Sequence, residues 1–328
     1  MPETQSPILT IAHRDAREAL RDRFLLVAII ALSLAALVSL VTGAIALKGD
    51  AATYAAARAT LLALGKDAAS ISAPEFWPLK LLRGTVEQIE IMGAVIALIA
   101  GYRAAVAERG RQTLALILTR PVAHWQFLAA KLTGGLLLSA TTLAVVFGLM
   151  ALMLNLISGV GLTLSDIGRL VLTWAAGTLY LTGIYTLGFG LALWLRSSVS
   201  GLVYAFALWL AVVLIAPQIG DTMDPDNQVA GGVFASLQVP KAEQDRIKAG
   251  FAGYETFRNG IEVASVTKHF ERFTFAVLGI KDTYTGKPLS AIWADKKGDA
   301  LFLFLFSAAL GGLVLLRRIN PDQLTQET

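Results

Sequence analysis

The sequence predicts an all-α membrane protein: six transmembrane helices, an N-terminal interfacial helix, and a helical extracytoplasmic insert between spans 5 and 6. Three observations predict it. Hydrophobic residues make up 55% of the 328-residue chain and charged ones 16%, where soluble domains carry roughly 25% charge. The apolar residues are gathered into runs long enough to cross a hydrocarbon core of about 30 Å. Lysine and arginine concentrate at the ends of those runs, where they set topology, so the formal charge of +4 is no signal for nucleic acid.

In chain order, Ser6-Pro7 is an N-cap and first-turn pair. Ile8, Ile11, Ala12, Ala16, Ala19 and Leu20 then share one face, and His13, Arg14, Arg17, Glu18, Arg21 and Asp22 the other. This pattern predicts an amphipathic helix along the membrane over 1–23. The run Phe24–Leu47 is the first span, followed by a polar stretch with a short helix at Ala51–Leu64 and Trp77 as an interface aromatic. Span 2 is read at Ile89–Val106, with Glu87, Glu90 and Arg103 near its ends and able to snorkel. Spans 3, 4 and 5 are Leu132–Ile157, Arg169–Leu195 and Leu202–Ala216, the last stopped by Pro217. Gly134-Gly135, Gly148, Gly177, Gly183, Gly188 and Gly190 predict close helix packing in spans 3 and 4. Residues 218–299 are the insert, and Ala300–Leu316 is span 6, stopped by Arg317-Arg318 and followed by a short tail. An uncleaved N-terminus is expected, because the run after Arg14–Arg23 is too long for a signal peptide.

Two stretches invite a function. Glu108–Lys131 lies between two spans and is basic, with Arg109, Arg111, Arg120 and Lys131 against Glu108 alone. It is also too apolar for a solvated loop: Thr113–Leu118 is greasy, Pro121 breaks it, and Trp125, Leu128, Ala129 and Leu132 recur at helical spacing. Such an element suits docking of a separate ATPase subunit; it equally suits a helix resting on anionic lipid headgroups. In the insert, Ile247, Phe251 and Tyr254 share a face of a helix over Lys241–Asn259. Val263, Val266, Phe270, Phe273 and Val277 form a second amphipathic helix, which packs on the first, on the membrane, on a second copy or on a partner. Positive charge in short loops places both termini and Glu108–Lys131 in the cytoplasm and residues 218–299 outside. The membrane is then a cell (inner) membrane.

Other chemistry lacks its motifs. There is no Walker loop, so ATP is not bound in that way. The absence of cysteine excludes disulfides and thiolate sites. His13, His124 and His269 have no metal-ligand spacing, and Met150 and Met153 read as packing residues. No nucleophile or metalloprotease signature appears, so no catalytic residue, metal or cofactor is assigned to this chain.

Two segments, ILTIAHRDAREALRDRFLL and ERGRQTLALILTRPVAHWQFLAAK, carry a resemblance. The chain resembles the permease of a type-2 ABC exporter, in particular those of multicopper-enzyme maturation and the nitrous-oxide-reductase type. The matching positions are the basic turn that leads into span 1, then Glu108, Gly110, Thr113, Leu114, Pro121 and Lys131. Gln112 departs from the family's usual Gly or Lys. The resemblance implies a permease that dimerises, each copy bound by an ATPase chain that holds ATP and Mg. By that analogy Arg17, Arg21, Glu108, Arg109, Gly110, Thr113, Leu114, Arg120, Pro121, Trp125 and Lys131 receive the ATPase. Phe251, Tyr254, Val266, Phe270 and Phe273 serve a lid or an extracytoplasmic partner. Two rival readings share the spans. A membrane scaffold or assembly factor needs no ATPase. An ion-coupled transporter usually has mid-span charges; the runs read above have no mid-span Asp, Glu or Lys, and Glu90, near a span end, is the one candidate for that reading.

Overall fold

A computed structural model describes residues 7–64, 77–110, 123–158, 161–195, 197–223 and 233–316. Among these residues there are helices and no strands. Helix α1 is Pro7–Arg21 and α2 is Arg23–Ala63, joined at Asp22, whose carboxylate caps α2 by accepting from the Phe24 amide at 2.8 Å. The chain returns through a 3-10 turn (Pro78–Leu82), α3 (Arg83–Gln88), a π-helical turn (Ile89–Gly93) and α4 (Ala94–Gly110). Then come α5 (His124–Ser158), α6 (Leu164–Trp194) and α7 (Ser198–Trp209), a second π turn (Leu210–Ile215), and α8 (Ala216–Met223). The insert holds α9 (Val233–Ser236), α10 (Lys241–Gly250), α11 (Ala252–Ala264) and α12 (Val266–Leu278); α13 (Leu289–Leu315) follows. Among the described residues, six segments are long and apolar enough to cross a membrane.

Several boundaries differ from the sequence reading. The first span and the short helix after it are one rod, α2, because nothing between Leu47 and Ala63 breaks a helix firmly. Span 2 begins at Pro78, where Leu79, Leu81 and Leu82 are buried. Glu87 and Glu90 therefore lie within the helical segment rather than at its start. Span 5 runs through Pro217 to Met223. Proline removes a donor and crowds the preceding turn, and the π turn just ahead of it absorbs both effects. The last helix begins at Leu289, inside the stretch assigned to the insert. There a hydrogen bond joins Tyr284 to Asp295; burial first, and that bond second, push the Tyr284 phenol above its ordinary range. The Gly-rich turn before span 4 holds a capping box, Thr163 with Asp166, and Asn155 accepts from the Leu162 amide at 3.2 Å.

Helix α6 is the axis of the bundle. Arg169 and most residues from Thr173 to Ala192 are buried, and the helix packs on α4, α5, α7, α12 and α13. Its contact with α4 is backbone on backbone. A Cβ at Gly101 would stand 2.0 Å from the Tyr185 carbonyl oxygen, and one at Gly188 2.3 Å from that of Leu98. No side chain fits at either position.

Candidate functional site

Two regions at opposite ends of α6 gather the functional residues. At the first, α1 is tied to the bundle. Its apolar face closes on α5: Ala12 and Ala16 are buried, and Gly134 of α5 gives room for Ala12 and Asp15. That face is therefore packed against protein rather than lipid. Two ion pairs fix it. Lys131 Nζ stands 2.8 Å from Asp15 Oδ2, at an angle outside hydrogen-bond geometry, and Lys131 is 4% exposed. Arg103 pairs with Asp22 and lies 5.0 Å over the Phe24 ring. Between α1, α4, α5 and α6 is a cavity of about 450 Å³, lined by Asp15, Glu18, Asp22, Arg103, Lys131 and Tyr185 among others.

The sequence-predicted docking residues divide here. Arg17, Arg21 and Trp125 are exposed, Trp125 at 54%. Lys131 is inside, engaged with α1, so its charge is not presented to a docking partner. Glu108, Arg109 and Gly110 end α4. Thr113, Leu114, Arg120 and Pro121 lie outside the described residues. The sequence reading missed the part played by Arg103 and Asp22. The signal was present, since one basic residue ends span 2 and one acid caps span 1.

At the other end, the insert turns back into the bundle. The Tyr254 hydroxyl donates to the Met223 carbonyl at 2.7 Å, and the Ser265 hydroxyl to the Val212 carbonyl at 3.3 Å. The same number of residues separates the two donors as separates the two acceptors. Helix α11 thus runs antiparallel alongside the end of span 5, descending about 16 Å at 1.5 Å per residue. The chain reverses at Ser265, which also caps α12 by accepting from the Lys268 amide at 3.4 Å. Helix α12 climbs back between α6 and α13. Phe270 stacks on Tyr180 near the middle of α6, with centroids 4.8 Å apart, and Tyr180 donates to the Glu90 carbonyl at 2.9 Å. At the top, Arg169 donates to the Val277 carbonyl at 2.7 Å and to the Lys287 carbonyl, under the face of Trp77. Trp77 donates to the Leu278 carbonyl at 2.8 Å. The left-handed Gly279 then ends the helix.

This arrangement reassigns the second set of predicted residues. Val266, Phe270 and Phe273 are buried within the chain, so they seat α12 and are not open to a partner. Phe251 and Tyr254 stay on the outside, 64% and 44% exposed. The re-entrant pair also carries charge in among the spans: Lys268 with Glu271 at 2.9 Å, and His269 with Asp299 at 2.6 Å. Sequence reading missed these groups because they come from a polar segment that no hydropathy window marks.

No curated protein matches the chain. The sequence matches the family described as ABC-2 family transporter protein over residues 9–280, which runs from the first turn of α1 to just past the end of α12. With six membrane-crossing segments and that match over most of its length, the chain belongs to the ABC-2 transporter family, as the membrane-spanning permease.

Proposed function

We infer that the chain is the permease of an ATP-driven exporter and that its ATPase subunit docks on α1 together with the stretch Glu108–Lys131. Both termini and this platform lie in the cytoplasm, and the re-entrant pair faces the outside of a cell (inner) membrane. ATP and Mg belong to the ATPase chain. One observation carries the reading: α1 and the joint that follows it are ion-paired to the helices at the two ends of the docking stretch, Asp22 to Arg103 of α4 and Asp15 to Lys131 of α5. A force applied at the stretch is thereby shared by span 2, span 3 and α1. Arg17, Arg21 and Trp125 are exposed for contact. The apolar outer faces of α2 (Val27, Ile30, Leu34, Val38) and α7 (Val199, Val203, Tyr204) suit a second permease copy and lipid. The resemblance to multicopper-enzyme-maturation permeases is the working subtype, without a copper substrate assigned.

The test is co-purification from native membranes in mild detergent, with ATPase activity assayed on the eluate. An ATP-binding chain at near-equal stoichiometry is expected. It is lost when Trp125 is replaced by Glu or when Arg17 and Arg21 are both replaced by Glu. Recovery of an extracytoplasmic protein and no ATPase would replace this reading with the scaffold.

A further inference from the structure

The ring of His269 meets an acceptor on each side. Nδ1 is 2.6 Å from Asp299 Oδ1, and Nε2 is 2.9 Å from the Val263 carbonyl oxygen. A carboxylate and a carbonyl can only accept. For both contacts to be hydrogen bonds, both nitrogens must carry protons, which makes the ring an imidazolium. A neutral ring has one N–H, so one of the two bonds must then fail. The two partners lie on different elements: Val263 ends α11 and Asp299 belongs to α13, while His269 is in the first turn of α12. The ring also stacks on Phe302 of α13, centroids 3.9 Å apart. One proton thus joins the three helices around the re-entrant turn.

We propose that His269 is a protonation latch that holds the re-entrant helix α12 in its seat. The latch is closed in the imidazolium form and loosened when the ring is neutral, so that the pH on that face of the membrane governs release of the plug. This rests on the orientation given above only for the side from which protons arrive. The groups around the ring agree with the assignment. On α12, Lys268 is engaged with Glu271, and Arg272 follows. On α13, Lys296 lies 3.9 Å from the second oxygen of Asp299, leaving the first to His269. On α11, Glu255 and Arg258 pair with each other at 3.0 Å. From span 2, Glu90 offers its carbonyl to Tyr180, Arg83 lies over Phe275, and Lys80 is in the 3-10 turn. Arg169 on α6 binds the opposite end of α12. The π turn Leu210–Ile215 contributes no titratable side chain. Asp299 and His269 keep 13% and 9% of their side chains exposed, enough for a proton to reach them.

A latch closed by the proton, as proposed, has its advantage at low pH and loses it as pH rises.

The chain has no cysteine, so a single introduced thiol reports alone. Val266→Cys places one at the buried turn, and Ser290→Cys places an exposed reference. Labelling by a membrane-impermeant maleimide, taken as the ratio of the two sites to cancel thiol ionisation, is measured at about pH 5.5 and about pH 8, which bracket imidazole titration in general. The ratio is expected to rise roughly tenfold or more, the factor that one charge-assisted hydrogen bond carries. It should be flat in His269→Gln. A flat ratio in the parent, or the same rise in His269→Gln, overturns the latch. Absence of external labelling at Ser290→Cys is a failure of the orientation and not of the latch, because the same ratio in detergent micelles is independent of sidedness. A second measurement does not depend on variant folding at the turn. In a background with His13 and His124 replaced by Gln, ¹⁵N imidazole shifts read His269 directly. Two protonated nitrogens at about pH 5.5 are expected, and a neutral ring there rejects the proposal.

Discussion

Lys131 keeps 4% of its side chain exposed, and the carboxylate that faces it, Asp15, belongs to another helix. A buried ammonium is tolerated only with its partner, and removing one member of such a pair costs about 3–5 kcal/mol, whereas replacing both with apolar groups is often neutral. Asp15→Asn should therefore lower the midpoint of detergent-induced unfolding steeply. Asp15→Leu combined with Lys131→Met should recover most of the loss. Equal destabilisation of the single and double variants would mean that apolar packing at Ala12 and Ala16, not charge, holds α1. The same residue shows what a sequence can reveal. A lysine leading into span 3 was visible, and its place beside a basic stretch suggested an outward role. Whether it pointed to a partner or to α1 depended on how α1 packs on α5, where Ala12 and Asp15 lie against Gly134, three residues on. That proximity is a property of packing and has no local signal.

At the scale of elements, the informative case is Pro217. The sequence rule that proline stops a helix predicted the end of span 5, and the helix continues. In a π turn the amide at position 217 would bond the carbonyl of Val212, but proline has no N–H. The Ser265 hydroxyl stands in for it, at 3.3 Å from that oxygen. Ser265 thus serves as the substitute donor, as the cap of α12 and as the point where the insert reverses. Loss of the cap costs about 1 kcal/mol, and an orphaned buried carbonyl adds about 1–3 kcal/mol. Ser265→Ala should cost about 2–4 kcal/mol on those figures. In the Pro217→Ala background, where the backbone supplies its own donor, the cost should shrink by about 1 kcal/mol or more. Additive effects in this double-mutant cycle would show that Ser265 and Pro217 act independently. The six spans, the amphipathic α1 and the apolar stripe of α12 were legible because period and length record them locally. The re-entrant course of α11 and α12 was not, because an amphipathic helix can seat against protein as well as against a membrane surface or a second copy.

At the scale of the molecule, α6 links the two ends. Its close approach to α4 at Gly101 and Gly188 leaves no slack between spans 2 and 4. Gly188→Val should prevent assembly of a monodisperse protein, where Gly148→Val, with open space around it, should not. Toward one end Tyr185 of α6 reaches the Lys131 carbonyl at 3.4 Å; toward the other, Tyr180 carries Phe270 and grips span 2 at Glu90. Under the proposed docking, a tilt of the helices flanking that stretch would reach the seat of α12 through α6. The aromatic stack contributes about 0.5–1.5 kcal/mol beyond its buried area, so Tyr180→Leu should weaken the seat and break the link without unfolding the bundle, while Tyr180→Phe keeps the stack and loses the hydroxyl. In the complex with its ATPase, labelling of Val266→Cys should change when ATP binds. That response should persist, reduced, in Tyr180→Phe and vanish in Tyr180→Leu, with ATP hydrolysis retained in both. If Tyr180→Leu left the response intact, motion would have to reach the re-entrant pair by another route, along span 5, where α11 lies against Val212 and Met223.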